Sequence, residues 1–536
     1  MTTSAGPGTA PGDRAPLTAH QRQTLGICCV GWFMVLLDVS IVNTALPTIQ
    51  RDLHADLSSL QWVVDAYTLA FAALLLSWGT LADRQGRKRF FQGGMALFTL
   101  GSLLCGLAPS MHWLYAARAL QGIGGAALAP TSLALLAGAF PDARQRVRAI
   151  ALWAAVSGIA LGVGPTIGGL LVVGPGWRWV FFVNVPVGVA CLVFGVRVLR
   201  ESKDPAARRI DLPGQLLSIG WLSALTYGFI EAGTEPWASP HVAVPMAVAA
   251  VLLAGFVVVE ALSPEPMLPL GLFGVRLFSA TAATTFLAGF VLISVPFLMA
   301  QYFQGVQGYS AVQAGVRVLA FTLMFTLFAP VAGRLAGTFG YRVPVAIGAA
   351  VAGGGLFMLS GLEPTTAYPD VAWRLALVGA GFGLMLSPLS ATALLSMPPE
   401  RSGLASSAAN TTRQVGTVIG IALLGALVQT RATSYAAVHL AALGPARERV
   451  ASLVGHGGAA AVPPGAGRIG SEALHHLAGS AFVYGTHAAF LIGGIVLFGA
   501  AAVSGAFLSL PRPATVPRPA TEPAVTVLEP AGGGGG

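Results

Sequence analysis

Three ionisable side chains lie inside long apolar runs: Asp38 within LDVSIVNTALP, Asp65 within QWVVDAYTLAF and Arg118 within YAARALQGIGGAALAP. A charge placed this way in a membrane is costly unless it meets a partner or a cavity, and it commonly marks a pathway. Two acids and a base suit proton exchange. Burial opposes ionisation of a carboxyl group, a nearby guanidinium favours it, and an acid held between the two can load and release a proton when its surroundings change. At 1.5 Å per residue, Asp38 lies roughly 13 Å below the end of its run and Arg118 roughly 10 Å below the start of its own. Similar depth allows a pair. Asp38 is therefore read as a proton carrier and Arg118 as the group that sets its affinity, with a permanent structural ion pair as the alternative. Asp65 lies nearer the mouth, as a second carboxylate, a cation-attracting group or a structural hydrogen-bond partner.

The runs that carry these residues must be membrane helices. Charged residues make up 10% of the 536 residues and hydrophobic ones 55%, whereas a soluble domain has about 25% charged residues. About 20 apolar residues cross the hydrocarbon, and fourteen such runs follow one another from 25–46 to 482–509. The net charge of +9 is unevenly spread. With the amino terminus inside, twenty of the thirty Lys and Arg fall on the inner side and seven on the outer, as the positive-inside rule requires. The basic balance therefore reports inner loops facing an anionic membrane, not a nucleic-acid site. Cys28, Cys29, Cys105 and Cys191 all sit in apolar runs, with neither disulfide nor metal spacing.

Residues 1–20 are read as a disordered cytoplasmic segment, 21–203 as a six-helix bundle and 204–265 as two linker helices. Residues 266–510 form a second bundle with a long extracellular loop over 430–480, and 511–536 a disordered cytoplasmic tail. The bundles are copies of one another. GTLADRQGRKR after the second run is echoed by GRLAGTFGYR after the tenth, so that Gly79, Leu81, Ala82 and Gly86 match Gly333, Leu335, Ala336 and Gly340. Asp83 becomes Gly337 and Arg118 aligns with Ala376, which concentrates the charge chemistry in the first copy. Internal repeats of this kind build a midplane site between two rocking halves. In the first loop Gly79 and Gly86 permit a tight turn, and Asp83 pairs with Arg84 or Arg87 or caps a helix, as a latch between the halves; topology-setting charge is the plainer reading.

The fifth run reads GIALGVGPTIGGL, with Gly158, Gly162, Gly164, Pro165, Gly168 and Gly169 in one crossing. Glycine and proline weaken a soluble helix; in lipid they serve close helix approach and bending. Trp32, Trp62, Tyr67, Gln301, Tyr302, Asn410 and Arg413 are candidate substrate contacts, because aromatic surface with a few polar groups suits bulky organic compounds. Lipid-facing or structural packing is the plainer reading for each.

These residues together resemble a family. LDVSIVNTALP, QWVVDAYTLAFA, GTLADRQGRKR, RALQGIGGAALAP, the Gly158–Leu170 run, WRWVFFVNVPVG, DLPGQLLSIG, YFQGVQGYSAVQAG and RSGLASSAANTTRQVG look like the fourteen-helix drug–proton antiporter branch of the major facilitator superfamily. The resemblance implies an all-α membrane protein of the major facilitator fold, two six-helix bundles plus two inserted linker helices. It also places Asp38 in an acid motif, Arg118 in an arginine motif and Gly164–Pro165 in the antiporter motif. One departure is RVLAF at the start of the tenth run, where relatives carry a Leu–Pro pair.

The expected function is proton-coupled export of hydrophobic drugs, antibiotics or secondary metabolites across the bacterial plasma membrane. A lipid or glycolipid exporter of the same fold is the alternative, and an uptake carrier is disfavoured by the antiporter motif. The expected partners are a small hydrophobic or amphipathic substrate and the lipid bilayer, with no nucleic acid, no cofactor beyond the coupling proton, and a monomeric chain. An enzyme is not expected: zinc-ligand pairs and nucleophile–base arrangements are missing, and the glycine loop lacks the Gly-Lys-Ser/Thr ending of a phosphate loop.

Overall fold

A computed structural model describes residues 17–203, 211–397, 402–440, 451 and 471–508. Every regular element among them is helical. In chain order the long helices are α1 (Ala19–Asp52), α2 (Leu57–Gln85), α3 (Arg87–Gly106), α4 (Met111–Ala139), α5 (Ala143–Val173) and α6 (Trp179–Val198). Then come α7 (Leu212–Glu231), α8 (Pro240–Leu262), α9 (Arg276–Val306), α10 (Ala311–Phe339), α11 (Arg342–Leu359), α12 (Tyr368–Leu395), α13 (Ser402–His439) and α14 (Ser471–Phe507). Among the described residues eleven of these are long and apolar enough to cross a membrane; α3 and α7 are not among them, and α5 has a shorter apolar part, Gly158–Val173. The chain is a multi-pass membrane protein.

Short polar caps set the helix starts. Thr18 and Gln21 form a capping box on α1, Asp56 caps α2 by accepting from the Ser59 amide at 2.8 Å, and Asp211 caps α7 through the Gly214 amide at 2.8 Å. The start of α1 at Ala19 shortens the segment read as disordered; residues 1–16, 204–210 and 509–536 lie outside the described residues. The stretch read as an extracellular loop differs too. Residues 430–439 continue α13, and α14 starts at Ser471. Ala432, Ala436, Ala478 and Ala481 pack these extensions together with Leu440 and Leu474. Alanine is the strongest helix former, so an Ala-rich segment extends a helix where its composition suggested a loop.

The end where α1 begins and α14 finishes is here the terminal end, and the opposite one the far end. Packing repeats between the copies. Within the first bundle α2 and α3 lie on α4, α1 on α5, and α3 on α6; within the second α10 and α11 lie on α12, α9 on α13, and α11 on α14. The bundles meet along two equivalent seams, α2 against α13 and α5 against α10. Gln61 donates to the Ile421 and Ala422 carbonyls at 3.1 Å, Ser58 to Gln429 at 3.1 Å, and Gln304 to the Thr44 carbonyl at 2.9 Å, all toward the far end. There a single apolar core runs through both bundles, including Leu46, Leu60, Val291 and Phe303. Toward the terminal end the first bundle has a core of its own, around Met34, Phe71, Phe91 and Phe98.

Candidate functional site

Asp38 and Arg118 meet. The Arg118 guanidinium donates through Nη1 to Asp38 Oδ2 in an ion pair whose members are 1% and 0% exposed. Helical spacing adds more ligands. Gln121, one turn after Arg118 on α4, accepts from Arg118 Nη1 at 2.7 Å and donates through Nε2 to Asp38 Oδ1 at 2.7 Å and to Ser102 Oγ at 2.6 Å. Asn184 donates to Asp38 Oδ1 at 3.2 Å and to Ser102 Oγ at 3.3 Å. It reaches in because α6 is interrupted at Val183, between Trp179–Phe182 and Asn184–Val198. Arg118 Nε donates to the Val63 carbonyl at 3.0 Å, and its guanidinium lies 4.4 Å from the centre of the Tyr67 ring. Side chains of α4 and α6 thus meet the Asp38 carboxylate of α1, while α2 holds Arg118 and Ser102 of α3 holds Gln121 and Asn184. Buried charges persist when paired and hydrogen-bonded, and both members of this pair have further hydrogen-bond partners.

The sequence reading missed Gln121, Asn184 and Ser102. Gln121 is three residues from Arg118, on the same helix face. Asn184 is the lone polar residue in FFVNVPVG. Both signals were present; their convergence was not readable from spacing.

Asp65 is fully buried on α2, and neither of its carboxylate oxygens has a hydrogen-bond partner among the described residues. It lies one turn from Gln61 toward the terminal end, on the helix that faces α13. It does not join the Asp38 network.

The central cavity lies between the bundles. It is narrow in this arrangement and is lined by Val39, Ser40 and Asn43 of α1, Pro165 of α5, Leu292, Ile293 and Pro296 of α9, and Val318, Phe321, Thr322 and Phe325 of α10. Its lining is mostly apolar with a few polar groups, the chemistry of small-molecule sites. Helix α9 is interrupted at Ile293, beside the cavity, and ends in a π turn over Tyr302–Val306. Val39 and Ser40 face the cavity while their neighbour Asp38 points into the bundle, so cavity and ion pair share one helical turn of α1.

The proposed substrate contacts fall elsewhere. Trp32 stacks on Trp153 at 4.9 Å inside the first bundle. Trp62 packs near Tyr115 and Tyr227, and Tyr67 lies against Arg118. Tyr302 points into the second bundle, donating to the Glu363 carbonyl at 2.7 Å. Gln301 is buried, and its Nε2 lacks a partner. Arg413 donates to Asn410 at 2.6 Å, both on α13.

The glycines of α5 do three things. Gly164 and Gly168 admit Ser40, Ile41 and Thr44 of α1; a Cβ at Gly168 would sit 2.9 Å from Ile41. Gly169 faces α10, where a Cβ would sit 2.6 Å from the Ala311 carbonyl, and across the seam Gly315 receives the Pro165 carbonyl. Gly158 and Gly162 face Thr326 in looser contact, 3.6 and 3.9 Å. The helix runs unbroken through Pro165. Helix α10 likewise runs unbroken from Ala311, without the Leu–Pro pair.

In the α2–α3 loop Asp83 accepts from Arg87 Nε at 2.8 Å, and Arg84 is exposed. Gly86 has φ 134°, a conformation open to glycine. Glu201, after α6, caps α3 by accepting from the Lys88 and Arg89 amides at 3.0 and 3.2 Å. Gly79 packs on Pro130 of α4. These contacts tie the loop to its own bundle, and the Asp83–Arg87 pair read from the sequence is among them.

Two bundles of matching packing, joined at one end around a cavity, with an acid buried behind its wall, define a transporter architecture. Residues 28–421 match the Major Facilitator Superfamily, and the chain belongs to it. It is 41% identical over 408 residues, 76% of each chain, to the multidrug resistance protein Stp of Mycobacterium tuberculosis. It is 34% identical over 505 residues, 93% of each chain, to the tetracenomycin C resistance and export protein of Streptomyces glaucescens. It is 39% identical to the cephamycin export protein CmcT of Amycolatopsis lactamdurans, over 78% of this chain and 87% of that one. Among solved structures, a bacterial homologue of the human lysosomal transporter Spinster, inward-facing and unoccupied, aligns with TM-score 0.65 at 16% identity, covering 92% of this chain and 97% of that one. A D-xylose–proton symporter aligns with TM-score 0.62 at 13% identity, over 92% and 98%. These two likenesses concern the fold.

Proposed function

We propose that this protein exports small hydrophobic or amphipathic compounds, drugs and antibiotics among them, across the bacterial plasma membrane in exchange for protons. The termini lie inside, so the far end is the outer face, and the chain works as a monomer with the proton as its coupling ion. The observation that carries the proposal is the Asp38–Arg118 pair, buried in one bundle yet on the same helical turn as the cavity wall. Protonation of Asp38 removes the charge that Arg118, Gln121 and Asn184 hold in place. The released guanidinium then shifts α4 against α1, and α1 carries Val39, Ser40 and Asn43 at the cavity. Substrate release and proton loading on the outer side, followed by reorientation and proton release inside, complete the exchange. The named relatives at 34–41% identity support export as the direction.

The driving force is adequate. A potential of 100 mV supplies about 2.3 kcal/mol per charge, and each pH unit adds about 1.4 kcal/mol. One proton under both sustains a gradient of about a few hundredfold for a neutral compound. Asp38→Asn should abolish substrate-induced proton release in proteoliposomes while the protein still inserts and binds substrate. Unchanged proton release from that variant would refute the coupling role.

A further inference from the structure

At the terminal end of the two linker helices, two buried acids face each other. Asp211 caps α7, where its Oδ1 accepts from the Gly214 amide at 2.8 Å. Glu260 lies near the end of α8, where its Oε2 accepts from the Leu268 amide at 2.9 Å. The two helices pack on each other, and the two residues are 8% and 2% exposed. Their second oxygens turn toward one spot. A Cβ built on Gly214 would stand 2.8 Å from Asp211 Oδ2 and 2.9 Å from Glu260 Oε1, so at most the sum of these distances separates the oxygens. Neither has a hydrogen-bond partner among the described residues.

Two carboxylates held together out of water repel, and one retained proton turns the repulsion into a charge-assisted O–H···O hydrogen bond. A divalent cation suits the donor set poorly. Mg²⁺ and Ca²⁺ take about six or more oxygens, and among the described residues no third His, Cys, Asp or Glu joins the pair. The surrounding charges are few. Asp211 is the charge that acts on Glu260. Helix α7 packs on α2 and α13 along their seam; α2 presents the uncharged Ala73 and Ser77, and α13 presents Ala426, Gln429 and Thr430. Asp83, beyond Ser77, is paired with Arg87. Glu265 stands in the connection after α8, and Arg276 opens α9. Arg208 and Arg209 precede Asp211 outside the described residues.

The acids stand where both bundles are tied to the linker. Gln215, beside Gly214, donates to the Ala73 carbonyl at 2.8 Å and accepts from Ser77, both on α2. Ser77 also reaches the Met267 sulfur at 3.5 Å. The next residue, Leu268, packs against Phe278 and Ala282 of α9 and Ala405 and Ala408 of α13. We propose that Asp211 and Glu260 share one proton, and that this proton clasps the linker helices to both bundles at the cytoplasmic end and is released as cytoplasmic pH rises. On release the proton passes to water and leaves two buried anions face to face. Their repulsion drives the end of α8 from α7 and loosens the Met267–Leu268 connection. The clasp is separate from the coupling proton on Asp38, and none of its residues lines the cavity. It rests on the reading of transport and orientation given above only for its effect on export and for the side it samples.

Infrared spectroscopy and thermal unfolding of the full chain in nanodiscs test the clasp without relying on transport. The parent should show a protonated-carboxyl band that fades as pH is raised and is missing from Glu260→Gln and from Asp211→Asn. Its unfolding temperature should fall over the same pH rise. Glu260→Gln, whose amide donates to Asp211 in place of the proton, and Asp211→Asn, which keeps the cap, should lose that part of the fall. A band unchanged in both variants, or the same pH slope in parent and Glu260→Gln, overturns the shared proton. So does a missing band together with a collapse of stability in Arg208→Ala/Arg209→Ala, which would make arginine the partner. Stabilisation of the parent but not of Glu260→Gln by Mg²⁺ or Ca²⁺ overturns it in favour of a cation. In proteoliposomes at a fixed pH difference, export of a lipophilic dye by the parent should slow as both pH values rise, and export by Glu260→Gln should lose that slowing. Equal slowing in the two overturns the clasp and leaves the exporter reading standing. The expected band and slope in a parent that moves no dye overturns the exporter reading and leaves the shared proton standing.

Discussion

The two bundles are packed alike and filled differently. In the first, a carboxylate and a guanidinium are buried together in a hydrogen-bond network: Gln121 and Asn184 donate to the carboxylate and to Ser102, and the Val63 carbonyl takes the Arg118 Nε–H. In the second, Ala376 aligns with Arg118, and the buried face of α12 is apolar, with Leu375, Val378 and Phe382. Its polar features are Arg413 with Asn410 on α13, partly buried, and Tyr302 hydrogen-bonded to a loop carbonyl. The terminal-end loops repeat the contrast. Gly86 and Gly340 both end their helices with positive φ, but only the first loop has an ion pair and a cap from Glu201. One copy of the repeat thus carries a buried ion pair that the other lacks at the aligned position, while both contribute cavity surface. A rocking mechanism needs symmetry in the backbone and needs none in the chemistry.

Substitutions can break or sharpen that contrast. The largest effect is expected at Arg118. Arg118→Leu strands a buried carboxylate, and removing one partner of such a pair destabilises by about 3–5 kcal/mol. Arg413→Leu in the other bundle loses one hydrogen bond and should cost about 1 kcal/mol. Thermal unfolding in detergent compares them, and equal losses would show that the second bundle holds a charge centre of similar weight. Next is Asn184→Ala, which removes a donor to a charged oxygen and should cost about 1.5–3 kcal/mol. Proton release should survive it, in contrast to Asp38→Asn, because Gln121 and Arg118 still hold the carboxylate.

Smaller effects separate the loops. Gly86→Ala forces a left-handed backbone and drives a Cβ to 2.7 Å from the Glu201 carboxylate, for a cost of about 1–3 kcal/mol. Gly340→Ala meets open space and should cost only the conformational part, about 1–2 kcal/mol. Membrane yield and unfolding temperature should therefore fall further for Gly86→Ala, and the reverse order would remove Glu201 from the account. Least of all, Asp83→Asn breaks a partly exposed pair across the Gly86 turn and should shift stability by no more than about 0.5 kcal/mol. A transport defect in Asp83→Asn far beyond that change would mean that Asp83 finds a second partner when the terminal ends close.

Much of the site was legible because membranes penalise polar groups so heavily that each one is conspicuous. Asp38, Arg118 and the glycines of α5 stood out by type alone, and equal depth correctly matched the acid to its base. The aromatic candidates lie away from the cavity lining for the opposite reason. Trp32 and Tyr302 belong to residue types that lipid, cavity and core all accept, so composition does not say which way they face. The cavity is instead lined largely by Val, Leu, Ile, Phe and Pro, indistinguishable in sequence from any lipid-facing stretch. The helical extension at 430–439 was hidden by a similar ambiguity, since Ala-rich segments read as loop or helix until a partner such as α14 is in place.

From the amino-acid order alone came the membrane, the repeat, the family resemblance and the pairing of one acid with one base. Apolar length, charge asymmetry and spacing along a helix are local properties of a chain, and they need no partner to be read. Which side of each helix looks inward, that α4 and α6 bring their polar groups to one carboxylate of α1, and that α7 covers the α2–α13 seam emerged only in three dimensions. Each depends on the rotation and crossing of helices distant in sequence, and close packing across hundreds of residues decides those together.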